Sequence, residues 1–399
     1  MKRGKSIIGI LSVCVFALIS FIAIEKKGEV KANLNVTVND SIKIDSLQFF
    51  INQYCQLNSS IDSITKIIEF KKSVDNDILN RIKNLNTDIV NYDSTKKSII
   101  YKTLNDTLRK SKIAHYDSLI DFTNKKISIL KKLINQKESD RLEKERSLRY
   151  SALGLITTNL KAISGELSGS KAIVFNGVKY NLFVANLDSA KVRLHLLRPK
   201  HMSSLGNVKD YLEAKKLEPL MITNAGMFTT TFEPEGLYIE ENSLKKYDLD
   251  VGDQKSRLNF YLRPNGVFYI DNKNIPHIDT TQEFARLQKS RKFKVKLATQ
   301  SGPMLVINGR IHPAFVKGSK NYKIRSGVGI INPKKVVFAC TLHGSNFYDF
   351  AVFMKDIFNC KNALFLDGAI SRMYLHDIDS TETGGQFGPI LSVSRKNKK

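Results

Sequence analysis

Along the first third of the chain the apolar positions keep a helical rhythm. Leu57, Ile61, Ile64 and Ile68 stand four, three and four residues apart, and Ile78, Ile82, Leu85 and Ile89 repeat that spacing. A further run, Ile113, Tyr116, Ile120, Ile127, Leu130 and Ile134, keeps a seven-residue beat. Residues three and four apart share one face of an α-helix, so each run is an apolar stripe. No glycine or proline lies between Gly28 and Gly154. Short polar stretches at residues 73–77 and 91–94 can cap helix starts. The pattern therefore predicts two or three long helices between Ile42 and Tyr150, folded back as an antiparallel bundle or zipped as a coiled coil to a second copy. As a working part the region is an oligomerising stalk; otherwise it is a spacer.

After Gly154 the pattern changes to short β-rich runs separated by turns, and all nine prolines fall at Pro199 or later. Residues 172–175 and 178–185 flank Asn176-Gly177, a two-residue hairpin signal. Further strands are expected at 192–197, 220–223, 260–262, 267–270, 294–298, 304–307, 327–331, 336–341 and 363–366. Helices are expected at 208–217, 282–288 and 350–358. The fold class is α+β: a mixed, strand-rich α/β C-terminal domain, residues 154–399, preceded by a long-helix region, residues 33–153. The βαβ regularity of a doubly wound sheet is missing.

The N-terminus adds a third part, residues 1–32. Lys2, Arg3 and Lys5 precede an uncharged run over residues 6–24, long enough to cross most of a bilayer as a helix. This predicts a signal anchor with the N-terminus in the cytoplasm and the C-terminal domain extracytoplasmic, on the periplasmic side. The alternative is a cleaved signal peptide and a secreted product. The net charge of +25 is spread along the chain without a basic block. It favours anionic partners in general and argues against a dedicated nucleic-acid arm. Cys14, Cys55, Cys340 and Cys360 are too scattered for a disulfide scaffold or a zinc site, and Cys340 and Cys360 are read either as a pair or as two buried thiols.

The polar residues that could do chemistry recur immediately after short apolar strands and beside glycine, where backbone can approach a ligand. Asn224 precedes Gly226 in NAGMF; Glu235 follows in a turn; Gln300, Ser301 and Gly302 join two strands; Arg325 enters a glycine-bearing strand; His343 and Gly344 follow another. Asp367 and Gly368 end a buried strand, with Ser371 and Arg372 close behind. Asp367 suits a base or nucleophile, Glu235 a second carboxylate, and the planar fork of Arg325 a phosphate. The histidines show no metal-binding spacing, so neither a metal nor another cofactor is expected.

The order and spacing of four motifs give these signals one reading. NAGMF at 224–228, QSGPML at 300–305, RSGVGI at 325–330 and NALFLDGAIS at 362–371 together resemble the phosphodiester glycosidase family, which includes the uncovering enzyme of lysosomal targeting. The closing GGQFGPILSV is similar to its bacterial branch. The resemblance covers residues 171–393 and implies hydrolysis of a sugar 1-phosphodiester to a free sugar, such as N-acetylglucosamine, and a phosphomonoester. It implies Arg325 on the phosphate, Asp367 or Glu235 as base or nucleophile, and Asn224, Gln300 and His343 orienting sugar and diester. Ala225 and Ala369 stand where the family has glycine. The expected substrate is cell-envelope glycan or exopolysaccharide. The rival reading is a non-catalytic phosphoglycan-binding module on a membrane-anchored coiled-coil stalk.

Overall fold

A computed structural model describes residues 40–100, 105–197, 203–241, 246–252, 259–290, 293–378 and 382–396. Helices α1 (Asp40–Ile100), α2 (Asp106–Leu133) and α3 (Gln136–Glu166) come first. Ile64 and Ile68 of α1 pack on Leu142 of α3, while Ile78 and Ile82 pack on Ile127 of α2. The partner number falls as the α1 number rises, so α2 and α3 return antiparallel along α1. The apolar stripes read from the sequence are the seam of this two-layer arm.

Three helices match the expected number, but the breaks fall elsewhere. The polar residues of 73–77 and 91–94 stay helical, supported by i,i+4 ion pairs: the partly buried Lys71–Asp75 and the exposed Arg81–Asp77 and Lys97–Asp93. The asparagines that do cap are Asn105, which accepts from the Leu108 N–H at 2.9 Å, and Asn135, which accepts from the Glu138 N–H at 3.2 Å. Helix α3 also runs straight through Gly154 to Glu166. The expected anchor, residues 6–24, lies outside the described residues, as do Cys14 and His201. Among the described residues no helix is long and apolar enough to cross a membrane.

The strand-rich part holds β1 (Gly169–Phe175), β2 (Val178–Asn186) and β3 (Ala190–His195), then α4 (Leu205–Ala214) and β4 (Pro219–Asn224). The short strands β5 (Tyr238–Ile239) and β6 (Lys246–Tyr247) follow, then β7 (Gly266–Asp271), β8 (Pro276–Thr280) and α5 (Thr281–Gln288). Next are β9 (Val295–Ser301), β10 (Met304–Ile307), β11 (Arg310–Ile311), β12 (Ser326–Asn332) and β13 (Lys335–Thr341). The chain closes with α6 (Phe347–Val352), β14 (Ala363–Asp367), β15 (Met373–Leu375) and β16 (Ile390–Arg395). Residues 260–262, expected as strand, lie mostly in a 3-10 turn, and α6 continues as a π-helical turn over Phe353–Ile357.

These strands make a seven-stranded sheet, β1-β2-β13-β12-β14-β10-β11, a four-stranded sheet, β15-β4-β16-β3, and a five-stranded sheet, β6-β5-β9-β7-β8, with antiparallel pairing throughout. Alternation along the large sheet explains its two cores. Phe338 and Cys340 of β13, with Leu364 and Leu366 of β14, face a core shared with Val192, Leu391 and Phe268 of the smaller sheets. Their neighbours Val337, Ala339, Ala363 and Phe365 face Phe350 and Phe353, together with Leu47, Ile51 and Leu160 of the arm helices. Cys340 and Cys360 are buried free thiols in these two different cores, so they do not pair. Where the sheets meet, the ends of β4, β9, β12 and β14 converge.

Candidate active site

Asp367 ends β14 opposite Ser326, the first residue of β12. Its Oδ1 accepts the Gly368 N–H at 2.7 Å, and the Ser301 hydroxyl fixes the preceding Leu366 carbonyl at 2.7 Å. Burial, reinforced by the negative charge of Glu235, pushes the Asp367 carboxyl up to about 6 against the hydrogen bond from Gly368. Glu235, half-buried, is itself raised by burial and by Asp250. The structure thus brings together the two carboxylates singled out in the sequence. Asp250 joins them; it accepts from the Tyr261 hydroxyl at 2.9 Å and from the Gly252 N–H at 2.6 Å.

Gln300 places the Glu235 side of this pair. Its Oε1 accepts the N–H groups of Leu237 (3.0 Å) and Asp250 (2.9 Å), and its Nε2 donates to the Asp250 carbonyl (2.6 Å) and the Thr281 hydroxyl (3.1 Å). Its amide is filled by the protein, so Gln300 holds the loops rather than the sugar. Gly236, at φ 146°, lies on that same amide, where a Cβ would stand 2.5 Å from Oε1. Asn224 plays the matching part for Asp367. Its amide donates to Ser326 (3.2 Å) and Ser371 (3.3 Å), and its carbonyl accepts from Arg372 N–H (3.2 Å) and the Thr223 hydroxyl (3.4 Å). Ser326 and Ser371 bond each other at 2.9 Å. Asn224 and Ser301 are therefore taken up inside the protein as positioning residues for the Asp367 turn, and Ser371, bonded to both Asn224 and Ser326, also lines the neighbouring cleft.

Two of the expected glycines are close approaches inside the protein. Gly302 abuts Asn265 and the Phe260 carbonyl, and a Cβ on Gly226 would stand 2.5 Å from the Thr299 hydroxyl and nearer still to the Gln300 carbonyl oxygen. Gly226→Ala should therefore lower stability by roughly 1–3 kcal/mol or more by overpacking this junction. A lower midpoint in urea unfolding checks it; an unchanged midpoint would contradict the packing described. Ala225 turns its methyl into the shared core, away from any ligand. Gly368 has room above it, and Ala369 is exposed.

Arg325 does not fill the phosphate-clamping role expected of it. It is 1% exposed, its Nε donates to the Ser345 carbonyl at 2.6 Å and its Nη2 to the Asn321 carbonyl at 3.0 Å. The guanidinium lies 3.6 Å from the centre of the Phe347 ring, and burial lowers it to about 10. It ties the loop between β11 and β12 to the loop before α6. His343 is exposed, and Gly344 packs on Tyr322.

Beside the carboxylates opens a cleft of about 780 Å³. One part of its wall is the segment 369–373, directly after Asp367; another is Phe228 and Phe232, on the loop that leads to Glu235. Arg372 opens on this cleft and pairs with Glu382 at 2.6 Å, both about half exposed. Arg372, rather than Arg325, is the cation available to a ligand here. Among the described residues no group of three or more His, Cys, Asp or Glu is arranged to hold a metal ion.

The family model described as phosphodiester glycosidase matches residues 218–392, the span that contains every residue of this cluster. Residues 218–392 are a phosphodiester glycosidase domain. A relative from Escherichia coli (strain K12), named uncharacterized protein YigE, is 36% identical over 178 residues, covering 44% of this chain. The match spans 66% of that protein, just under two thirds of its length. The matched span begins at the strand β4 that ends in Asn224, so the helical arm and β1 to β3 lie outside it. Asp250 and Tyr261 were not among the residues singled out for its site, and Arg372 was noted behind Asp367 without a role. Asp250 sits in a polar loop with nothing local to distinguish it. Asn181 is another omission with a visible signal, a lone amide within the apolar strand YNLFVA.

Proposed function

We propose that this phosphodiester glycosidase domain hydrolyses a sugar 1-phosphodiester, breaking the bond between the anomeric carbon and the phosphate oxygen. The observation that supports this most is Asp367 beside Glu235, where burial, reinforced by the Glu235 charge, holds Asp367 at about 6. A carboxylate near that value is a suitable general base close to neutral pH. In the proposed step Asp367 takes a proton from water as the water oxygen bonds to the anomeric carbon. The C–O bond breaks, its electron pair leaves on the phosphate oxygen, and Asp367 returns the proton to solvent. A phosphomonoester dianion leaves readily, so the step needs a cation near the phosphate more than it needs a proton donor. Arg372 supplies that charge. Glu235 keeps Asp367 basic and stabilises the positive charge that develops on the sugar ring.

The proposal extends to a substrate resembling an N-acetylglucosamine 1-phosphodiester within envelope glycan or exopolysaccharide. It also includes extracytoplasmic placement behind an N-terminal anchor and self-association through the helical arm. The positive charge of the chain supports a polyanionic substrate. The test is release of reducing sugar by the full chain from a panel of sugar 1-phosphodiesters. Release with stoichiometric phosphomonoester supports hydrolysis. Saturable binding with no release across the panel would overturn it in favour of a phosphoglycan-binding module, a reading favoured by the exposed Ala369 methyl at the cleft wall.

A further inference from the structure

We infer that the cleft beside the carboxylate pair is a subsite for a glycan chain, so that the preferred substrate is an oligosaccharide or polymer rather than a single sugar phosphodiester. The inference rests on the hydrolytic reading for its link to turnover, and on the cleft alone for binding. The volume of about 780 Å³ lies in the upper part of the 300–1,000 Å³ range of pockets that enclose ligands larger than one sugar ring. Asn181 carries the argument. It is 4% exposed, lines the cleft and makes no hydrogen bond through its side chain. Its amide is not sealed in the core: it opens on the cleft with its donors and acceptor untaken by the protein, where a ligand hydroxyl can pair with it.

The remaining walls suit sugar rings. Phe228 and Phe232 stack with centroids 5.6 Å apart and planes at 21°, and the Thr229–Phe232 backbone bond of 2.9 Å fixes the turn that carries Phe232. Such an apolar platform packs against the C–H face of a pyranose, while its hydroxyl edge needs planar donors and acceptors. Asn181, Arg372 and Glu382 provide them at the floor and rim. An acyl chain would fill the apolar part but leave Asn181 unpaired, so the polar groups favour a glycan. Two walls of the cleft, residues 369–373 and Phe228 with Phe232, directly adjoin Asp367 and Glu235 in the chain, so a bound glycan would lie next to the carboxylates.

The test is calorimetric titration of the full chain with oligomers of N-acetylglucosamine and of glucose, from one to six units, and with dodecyl phosphate. For at least one sugar series, affinity should tighten about tenfold or more between one and four units. Phe232→Ala and Asn181→Ala should each remove most of that gain, and Asn181→Ser, which restores a donor and acceptor, should recover part of it. Melting curves of each variant separate unfolding from lost binding. No dependence on length in either series, retention of the gain in both alanine variants, or preference for dodecyl phosphate would each overturn the subsite. Length-dependent binding without sugar release would overturn the hydrolytic reading and leave the subsite standing.

Discussion

Asp367→Asn is expected to lower sugar release by roughly a hundred- to ten-thousandfold, the range for loss of a general base, while making the domain more stable. The two effects share one cause. Asp367 is held at about 6 chiefly because burial disfavours its charge. In the unfolded chain an aspartate ionises near 3.9, so between roughly pH 4 and 6 the native state binds the extra proton. Stability that Asp367 allows at low pH is lost as pH rises through that window. Asparagine keeps the Oδ1 acceptor for Gly368 and removes the charge, so the gain should reach its full value above about pH 6 and vanish below about pH 4. Two pKa units correspond to a ceiling of about 3 kcal/mol. Urea unfolding at pH 4 and pH 7, alongside kcat/KM, reads both. Unchanged turnover, or a stability loss at both pH values, would contradict the assignment.

The second large effect is on the pH profile. With Asp367 as base, kcat/KM should rise through about pH 6 as the carboxyl ionises. Glu235 adds to the effect of burial by repulsion, so Glu235→Gln should move the rise to lower pH and increase the share of its own plateau rate kept at pH 5. The plateau itself should fall, because the carboxylate that stabilises the developing positive charge is gone. A rise that stays in place would show that Glu235 does not act on Asp367, whatever the loss in rate.

Much of the fold could be read from the sequence because it obeys short-range periodicity. The stripe from Leu57 to Ile134 became the seam of the arm, and Asn176-Gly177 joins β1 to β2. Helix ends were harder: Asp75, Asp77 and Asp93 are residues that cap helices, yet each finds a lysine or arginine one turn away and stays inside α1. Residues 260–262 misled for a similar reason. Their apolar run reads as strand, but Phe260 is buried to support the Gly302 and Asn265 turn.

At the site, the sequence named turns that the structure brings together, but not which of their polar atoms are taken up inside the protein. Motif residues in Asn224, Gln300 and Arg325 are polar and flanked by glycine or strand, which is what a ligand loop and a tight internal junction have in common. Only three-dimensional pairing shows that their hydrogen-bonding groups are taken up by Ser371, Leu237 and Ser345. Asp367 and Glu235, far apart in sequence, gain their relation from the meeting of β14 with the loop before β5. Arg372 passed behind Arg325 because spacing alone does not reveal that one guanidinium lies under Phe347 and the other opens on a cleft.

The most direct test of the central claim, water attack at the anomeric carbon with Asp367 as base, is hydrolysis of a sugar 1-phosphodiester in water enriched in ¹⁸O. The label should appear in the anomeric hydroxyl of the released sugar, with none in the phosphomonoester, and Asp367→Asn should slow formation of the labelled sugar by the same factor, roughly a hundred- to ten-thousandfold. Label in the phosphate would mean attack at phosphorus and contradict the account.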